Sequence, residues 1–162
     1  MINPKDDGVN HINIYSAGKT KLGSQLSNMY KVSVFYKNLK FTSVEHAWHY
    51  FKFLPSNPEL ALRILGMANP FEVKKLAKKY VTPAVQEYAQ TDDFKNIIIE
   101  IIEDRINRNM PLMLLMVHNE LPYKHYYVFK GHVKDESIKY KWLIEAIKNI
   151  QTRLKKEFKN VK

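Results

Sequence analysis

No cysteine occurs anywhere in the 162 residues. That excludes disulfides, thiol nucleophiles and thiolate metal sites. Glycine is scarce, with five residues scattered along the chain. Neither a G-x-G-x-x-G turn nor a P-loop can be drawn from them, so no glycine cradle for phosphate is expected. Long apolar runs are missing too. The longest, Leu112 to Val117, is far too short to cross a bilayer. The first residues, Met1-Ile2-Asn3-Pro4-Lys5-Asp6-Asp7-Gly8, lack the apolar stretch of a signal peptide. A soluble, cytoplasmic protein with no membrane partner is the expectation. Acidic residues are outnumbered as well: 16 Asp and Glu face 26 Lys and Arg, for a net charge of +10.

The positive charge gathers in three places. Lys31, Lys37 and Lys40 form one group, and Lys74, Lys75, Lys78 and Lys79 another. Arg153, Lys155, Lys156, Lys159 and Lys162 lie at the end of the chain. A free small anion needs only a few local cations. A field this broad favours a polyanion and gives sequence-independent phosphate affinity. The plainer reading is lysine at solvated positions, since lysine far outnumbers arginine and Arg is the usual reader of base edges.

Length suits one domain with one core. The pattern predicts an α+β protein, mainly helical, with a small N-terminal β-sheet or hairpin. Residues 1–10 read as a flexible arm, 11–158 as a single domain and 159–162 as a basic tail. Short strands are expected over 11–16 and 30–41, with Lys37-Asn38-Leu39-Lys40 as a turn. Helices are expected near 43–54, 58–66, 70–80, 83–90, 94–109, 111–118 and 136–158. Asn69 reads as a cap with Pro70 at the first helical position. Ile98, Ile101, Ile102 and Ile106 form one buried face, and Leu143, Ile147, Ile150 and Leu154 another. Met110, Met113 and Met116 read as core.

The richest stretch is Phe41-Thr42-Ser43-Val44-Glu45-His46-Ala47-Trp48-His49-Tyr50-Phe51-Lys52-Phe53-Leu54. Its first turns carry a carboxylate, two imidazoles, an indole, a phenol and an ammonium. Val44, Ala47, Trp48, Phe51 and Leu54 make an apolar stripe at helical spacing, with Glu45, His49 and Lys52 along one flank. Two readings of Glu45 stand. In one, Thr42 caps the helix and Glu45 closes a Thr-x-x-Glu capping box. In the other, Glu45 and Lys52, about 10 Å apart along the axis, grip opposite ends of a small planar ligand. His46 and His49 permit shared metal coordination, but no third ligand sits at a telling spacing, so no metal or cofactor is expected.

Four segments carry a family resemblance. Ile12-Asn13-Ile14-Tyr15-Ser16, Leu26-Ser27-Asn28-Met29-Tyr30, Lys40-Phe41-Thr42-Ser43-Val44-Glu45-His46 and Phe51-Lys52-Phe53-Leu54 follow the order and spacing of the NADAR, or YbiA-like, family. Asn69-Pro70-Phe71 with Val73, Leu76 and Ala77 resembles its next helix. The resemblance spans about residues 11–80 and fades after that. Thr91-Asp92-Asp93-Phe94 holds no tryptophan where the family has one. The family's late "W-G-x-G … G-x-N-x-L-G" loop is replaced by Tyr126-Tyr127-Val128-Phe129-Lys130-Gly131-His132-Val133-Lys134-Asp135. There Tyr126 or Tyr127 would stand in for the aromatic, with Gly131 and Asp135 left from the loop.

The resemblance implies cleavage of N-glycosidic bonds. The transition state is oxocarbenium-like, with negative charge growing on the leaving base. In that setting Glu45 would activate water or stabilise the sugar cation, and Lys52 would meet the leaving nitrogen. Trp48, Tyr30 and Tyr50 would stack on the base. Ser27 and Asn28 would hold a phosphate or ribose hydroxyl, and His49, Tyr127 and Asp135 would complete the substrate site. The charge favours ADP-ribosylated DNA as substrate, with removal of ADP-ribose from guanine. The alternatives are a free ribosylamino-pyrimidine phosphate of riboflavin synthesis, or a nucleotide- or DNA-binding module that has lost catalysis.

Overall fold

The computed structural model describes residues 1–161. Lys162, the end of the expected basic tail, lies outside the described residues. The chain forms two compact units, Met1–Tyr30 with the segment from Ile106 onward, and Lys31–Arg105.

In the first unit, β1 (Ile12–Asn13) pairs in parallel with β4 (Tyr123–Lys124). The Asn13 side chain extends this pairing as a backbone would. Its Oδ1 accepts from Tyr126 N at 3.0 Å and its Nδ2 donates to Tyr126 O at 3.1 Å. Residues 1–10, expected as a loose arm, hold a short 3-10 turn over Pro4–Asp6 and a buried Asp7. The Asp7 carboxylate accepts from Asn13 N at 2.9 Å and Lys19 N at 2.8 Å. Two satisfied backbone donors explain why a charged residue is tolerated there.

The helix α1 (Lys21–Leu26) is absent from the predicted elements and carries Gly23 in its middle. A Cβ at Gly23 would stand 2.1 Å from Asn13 O. Only glycine lets the helix approach β1 this closely. Helices α7 (Met110–His118) and α8 (Lys141–Lys159) pack on each other. Gln151 joins them, its Nε2 donating to Met116 O at 2.7 Å and Asn119 O at 2.9 Å. Leu143, Ile147, Ile150 and Leu154 are buried as their spacing predicts. Of the methionines expected in the core, Met116 is buried and Met110 is exposed. Met110 is the first residue after the Asn109 cap, where the helix has no preceding turn to shelter it. Helix α8 begins five residues later than expected, after a turn in which Tyr140 N donates to Glu136 O at 3.0 Å. The antiparallel hairpin of β5 (Tyr126–Phe129) and β6 (His132–Asp135) occupies a stretch the sequence left without an assigned strand.

The second unit opens with the hairpin β2 (Val34–Tyr36) and β3 (Leu39–Phe41). Lys37 takes the left-handed turn conformation at φ 52°. Five helices follow: α2 (Val44–Phe53), α3 (Pro58–Leu65), α4 (Pro70–Tyr80), α5 (Pro83–Tyr88) and α6 (Asp92–Asn107), whose last two residues fall in the first unit. Helices α3, α4 and α5 start alike. A proline takes the first helical position, where its missing N–H is harmless, and Asn57, Asn69 or Thr82 caps the turn. Helix α2 packs on α3 and α4. Ile98, Ile101 and Ile102 of α6 are fully buried, with Val34, Phe41 and Phe53.

Together these elements make the mainly helical α+β architecture that the pattern predicts. Among the described residues its strands form three separate pairs, and two of those draw on residues beyond Glu120. Among the described residues, no helix is long and apolar enough to cross a membrane.

Candidate functional site

Helix α2 starts at Ser43, whose Oγ accepts from His46 N at 3.0 Å. The capping-box reading of Thr42 and Glu45 is therefore corrected. Thr42 lies one residue before the cap, its hydroxyl donates to Ala68 O at 2.7 Å, and the Glu45 carboxylate turns to a side chain. Serine at the cap leaves Glu45 in the first turn, where the helix dipole favours an anion.

His46 is structural. Its Nε2–H donates to Ile64 O at 2.6 Å, so its Nδ1 accepts from Thr42 N at 3.1 Å. Burial holds its pKa below the ordinary imidazole value, against the raising effect of the Ile64 carbonyl, and the nearby His49 lowers it further. The ring is a neutral clip between the start of α2 and the end of α3. It is unavailable for a metal.

Nearly all of α2 is buried. Its three half-buried residues are Glu45, Trp48 and Lys52. They fall at i, i+3 and i+7, so they form one line along the helix. A carboxylate, an indole and an ammonium thus share the only edge of α2 that reaches solvent. His49 lies beside this line, its Nε2 2.8 Å from Glu45 Oε1. The two side chains are only 9% and 13% exposed. With Glu45 ionised, Nε2 carries the proton. The buried Nδ1 finds no hydrogen-bond partner among the described residues.

Burial alone would raise the Glu45 pKa. The hydrogen bond and charge of His49, then the charges of Lys74 and Lys52, outweigh it, and the carboxyl lies below its ordinary value. Lys74 comes from α4. In the sequence it stands only as one of the cluster Lys74, Lys75, Lys78 and Lys79. The missed signal is its position one turn after Pro70, on the helix that packs against α2.

The aromatic side of the line is Trp48, edge-on to Phe94 at 5.0 Å, with Tyr88 against Phe94 at 5.8 Å. Phe94 supplies an aromatic in the segment that lacks the family's tryptophan. Tyr50 is not part of this edge. It is buried against Phe41 and Phe51 at 5.3 and 4.9 Å.

The remaining expected site residues belong to the first unit. Ser27 ends α1, buried, and its Oγ accepts from Met29 N at 3.3 Å. Asn28 and Tyr30 are half-buried in the same turn. Tyr127 OH meets His125 Nε2 at 3.2 Å. Asp135 is exposed and accepts from Ser137 N at 2.9 Å, and this bond with the Ser137 hydroxyl holds its pKa low. Asp135 thus anchors the turn before α8. Among the described residues, no group of three or more His, Asp or Glu could hold a metal ion.

No protein-family model and no curated protein sequence matches the chain. The NMR structure of the E. coli protein YbiA does match, at a TM-score of 0.67 over 96% of this chain and 95% of that one, with 14% sequence identity. At that identity the likeness establishes the fold, over both units. The chain has the fold of YbiA, in agreement with the motifs around Ser27-Asn28 and Ser43-Val44-Glu45-His46.

Proposed function

We propose that the protein hydrolyses N-glycosidic bonds and that its substrate is guanine in DNA carrying ADP-ribose. The observation that carries this reading is the Glu45–Trp48–Lys52 line, with Glu45 kept ionised by His49, Lys74 and Lys52. An ionised carboxylate can accept a proton from water or face a sugar cation. In the reaction, the bond between ribose C1 and the base nitrogen breaks, and its electron pair goes to the base. Water oxygen bonds to C1, and its proton passes to Glu45. Lys52 offers a cation, or a proton, to the leaving nitrogen. Trp48 gives the base an aromatic surface.

The net charge of +10 supports the polymeric substrate. The local pair Lys52 and Lys74 would also suit a free ribosylamino-pyrimidine phosphate, a reading whose binding would show little salt dependence. Incubation with an oligonucleotide bearing ADP-ribosylated guanine tests the proposal. Release of free ADP-ribose supports it, and intact substrate at micromolar enzyme rejects it. Tight ligand binding without any product would instead mark a binding module.

A further inference from the structure

Strand alternation sorts the β5–β6 hairpin into two faces. Tyr127 and Phe129 stand on one of them, opposite Lys134 and His132. At its base this face is anchored. Tyr127 meets Tyr15 edge-on at 5.1 Å and His125 at 5.0 Å. At its tip it is bare, with Phe129 71% exposed.

The tip itself is unusual. Lys130 adopts φ 47° and Gly131 φ 79°. Glycine takes that backbone freely, whereas lysine is rare there and asparagine would suit it better. The Lys130 ammonium lies 5.4 Å over the Phe129 ring. Lys139 repeats the arrangement at 5.3 Å over Tyr140. Two acids lie nearby, and both are engaged. Glu136 is buried and meets Lys134 at 2.7 Å and Lys139 at 4.0 Å. Asp135 is held by Ser137. Glu136 thus offsets the charge of Lys134, and the hairpin tip presents the Phe129 ring with the Lys130 ammonium.

We propose that this face is a docking surface for single-stranded DNA, with bases stacked on Phe129 and Tyr127 and a phosphate paired with Lys130. Rings alternating with ammonium groups are the composition of a stacking platform. Tyr127 and Phe129 stand roughly 6.6 Å apart along the strand. That is about twice the ~3.4 Å rise of a stacked strand, which suits splayed bases better than a closed duplex. The proposal rests on the nucleic-acid reading above for its choice of polymer, and none of its contacts involves Glu45.

Fluorescence anisotropy tests it, using a labelled, unmodified single-stranded oligonucleotide, the same sequence as duplex, and vesicles of anionic lipid. The wild type binds the single strand more tightly than the duplex. Phe129→Ala weakens binding about tenfold, as the loss of one stacked base requires. Lys130→Asn, which keeps the left-handed turn, reduces the slope of log affinity against log salt by about 0.7. Circular dichroism melting of both variants matches the wild type. Equal single-strand affinity in wild type and both variants overturns the proposal, as does binding to vesicles without binding to the oligonucleotide. Binding to the unmodified strand without ADP-ribose release from the adduct would remove the glycosidase reading and leave this surface standing. Release without such binding would do the reverse.

Discussion

His49 Nε2 lies 2.8 Å from Glu45 Oε1, one turn along α2, and this contact decides the charge of the carboxylate. Burial pushes the Glu45 pKa up, and His49 is the largest of the influences that bring it down. A carboxyl with a depressed pKa stays ionised as pH falls, until the depressed value is reached. The acid limb of a kcat/KM profile for the wild type therefore lies below the ordinary carboxylate range.

His49→Asn removes the imidazole while leaving Lys52 and Lys74 in place. Burial then dominates, and the acid limb moves to higher pH. Measuring kcat/KM across the acid range checks this, and a profile unchanged in His49→Asn would detach Glu45 from its neighbour.

His46 gives the fold its own pH dependence. Its pKa is lowered in the folded chain, so the unfolded chain binds more protons between the two values. Stability is therefore complete above the ordinary imidazole value of about 6.5. It is lost progressively as pH falls below that and towards the depressed folded value. Thermal melting between neutral and mildly acid pH should show Tm falling. His46→Gln should flatten that dependence while lowering Tm at neutral pH by breaking the Thr42 and Ile64 contacts.

Gly23→Ala reverses the usual helix rule. Alanine in a helix interior ordinarily gains about 1 kcal/mol over glycine. Here its Cβ would meet a backbone carbonyl at 2.1 Å. Overpacking of this kind costs about 1–3 kcal/mol. Urea denaturation should show a net loss of stability, and a gain would mean that α1 and β1 part easily.

Much of this fold was legible because its signals are local. Asn69-Pro70 marks a cap and a first turn, and the isoleucines of α6 repeat at the helical period. Helix α1 was not legible, because its glycine answers to the backbone of Asn13 in a different element, a contact that helical periodicity does not register. The hairpin β5–β6 was missed for a similar reason. Its turn is Lys130-Gly131, a weaker signal than Asn-Gly, and its face is mostly exposed. Within the site, Glu45, Trp48 and Lys52 follow from helical spacing alone. Lys74 needed the packing of α4 on α2, and the role of His46 needed the carbonyl of Ile64.

The two lysines near Glu45 should separate in kinetics. Lys52→Met, which removes the group assigned to the leaving nitrogen, should lower kcat by about a hundredfold. Lys74→Met should act mainly on KM and on the acid limb, because its charge supports Glu45 from a neighbouring helix. Steady-state kinetics on the same adduct distinguishes them, and equal effects on kcat would mean that the two cations act as one.

In the proposed reaction the Glu45 carboxylate takes part in bond cleavage. Single-turnover release of ADP-ribose from the guanine adduct, compared between the wild type and Glu45→Gln, tests it most directly. Glu45→Gln should bind the adduct as the wild type does and release ADP-ribose at least about a hundredfold more slowly. Release at the wild-type rate by Glu45→Gln would contradict it.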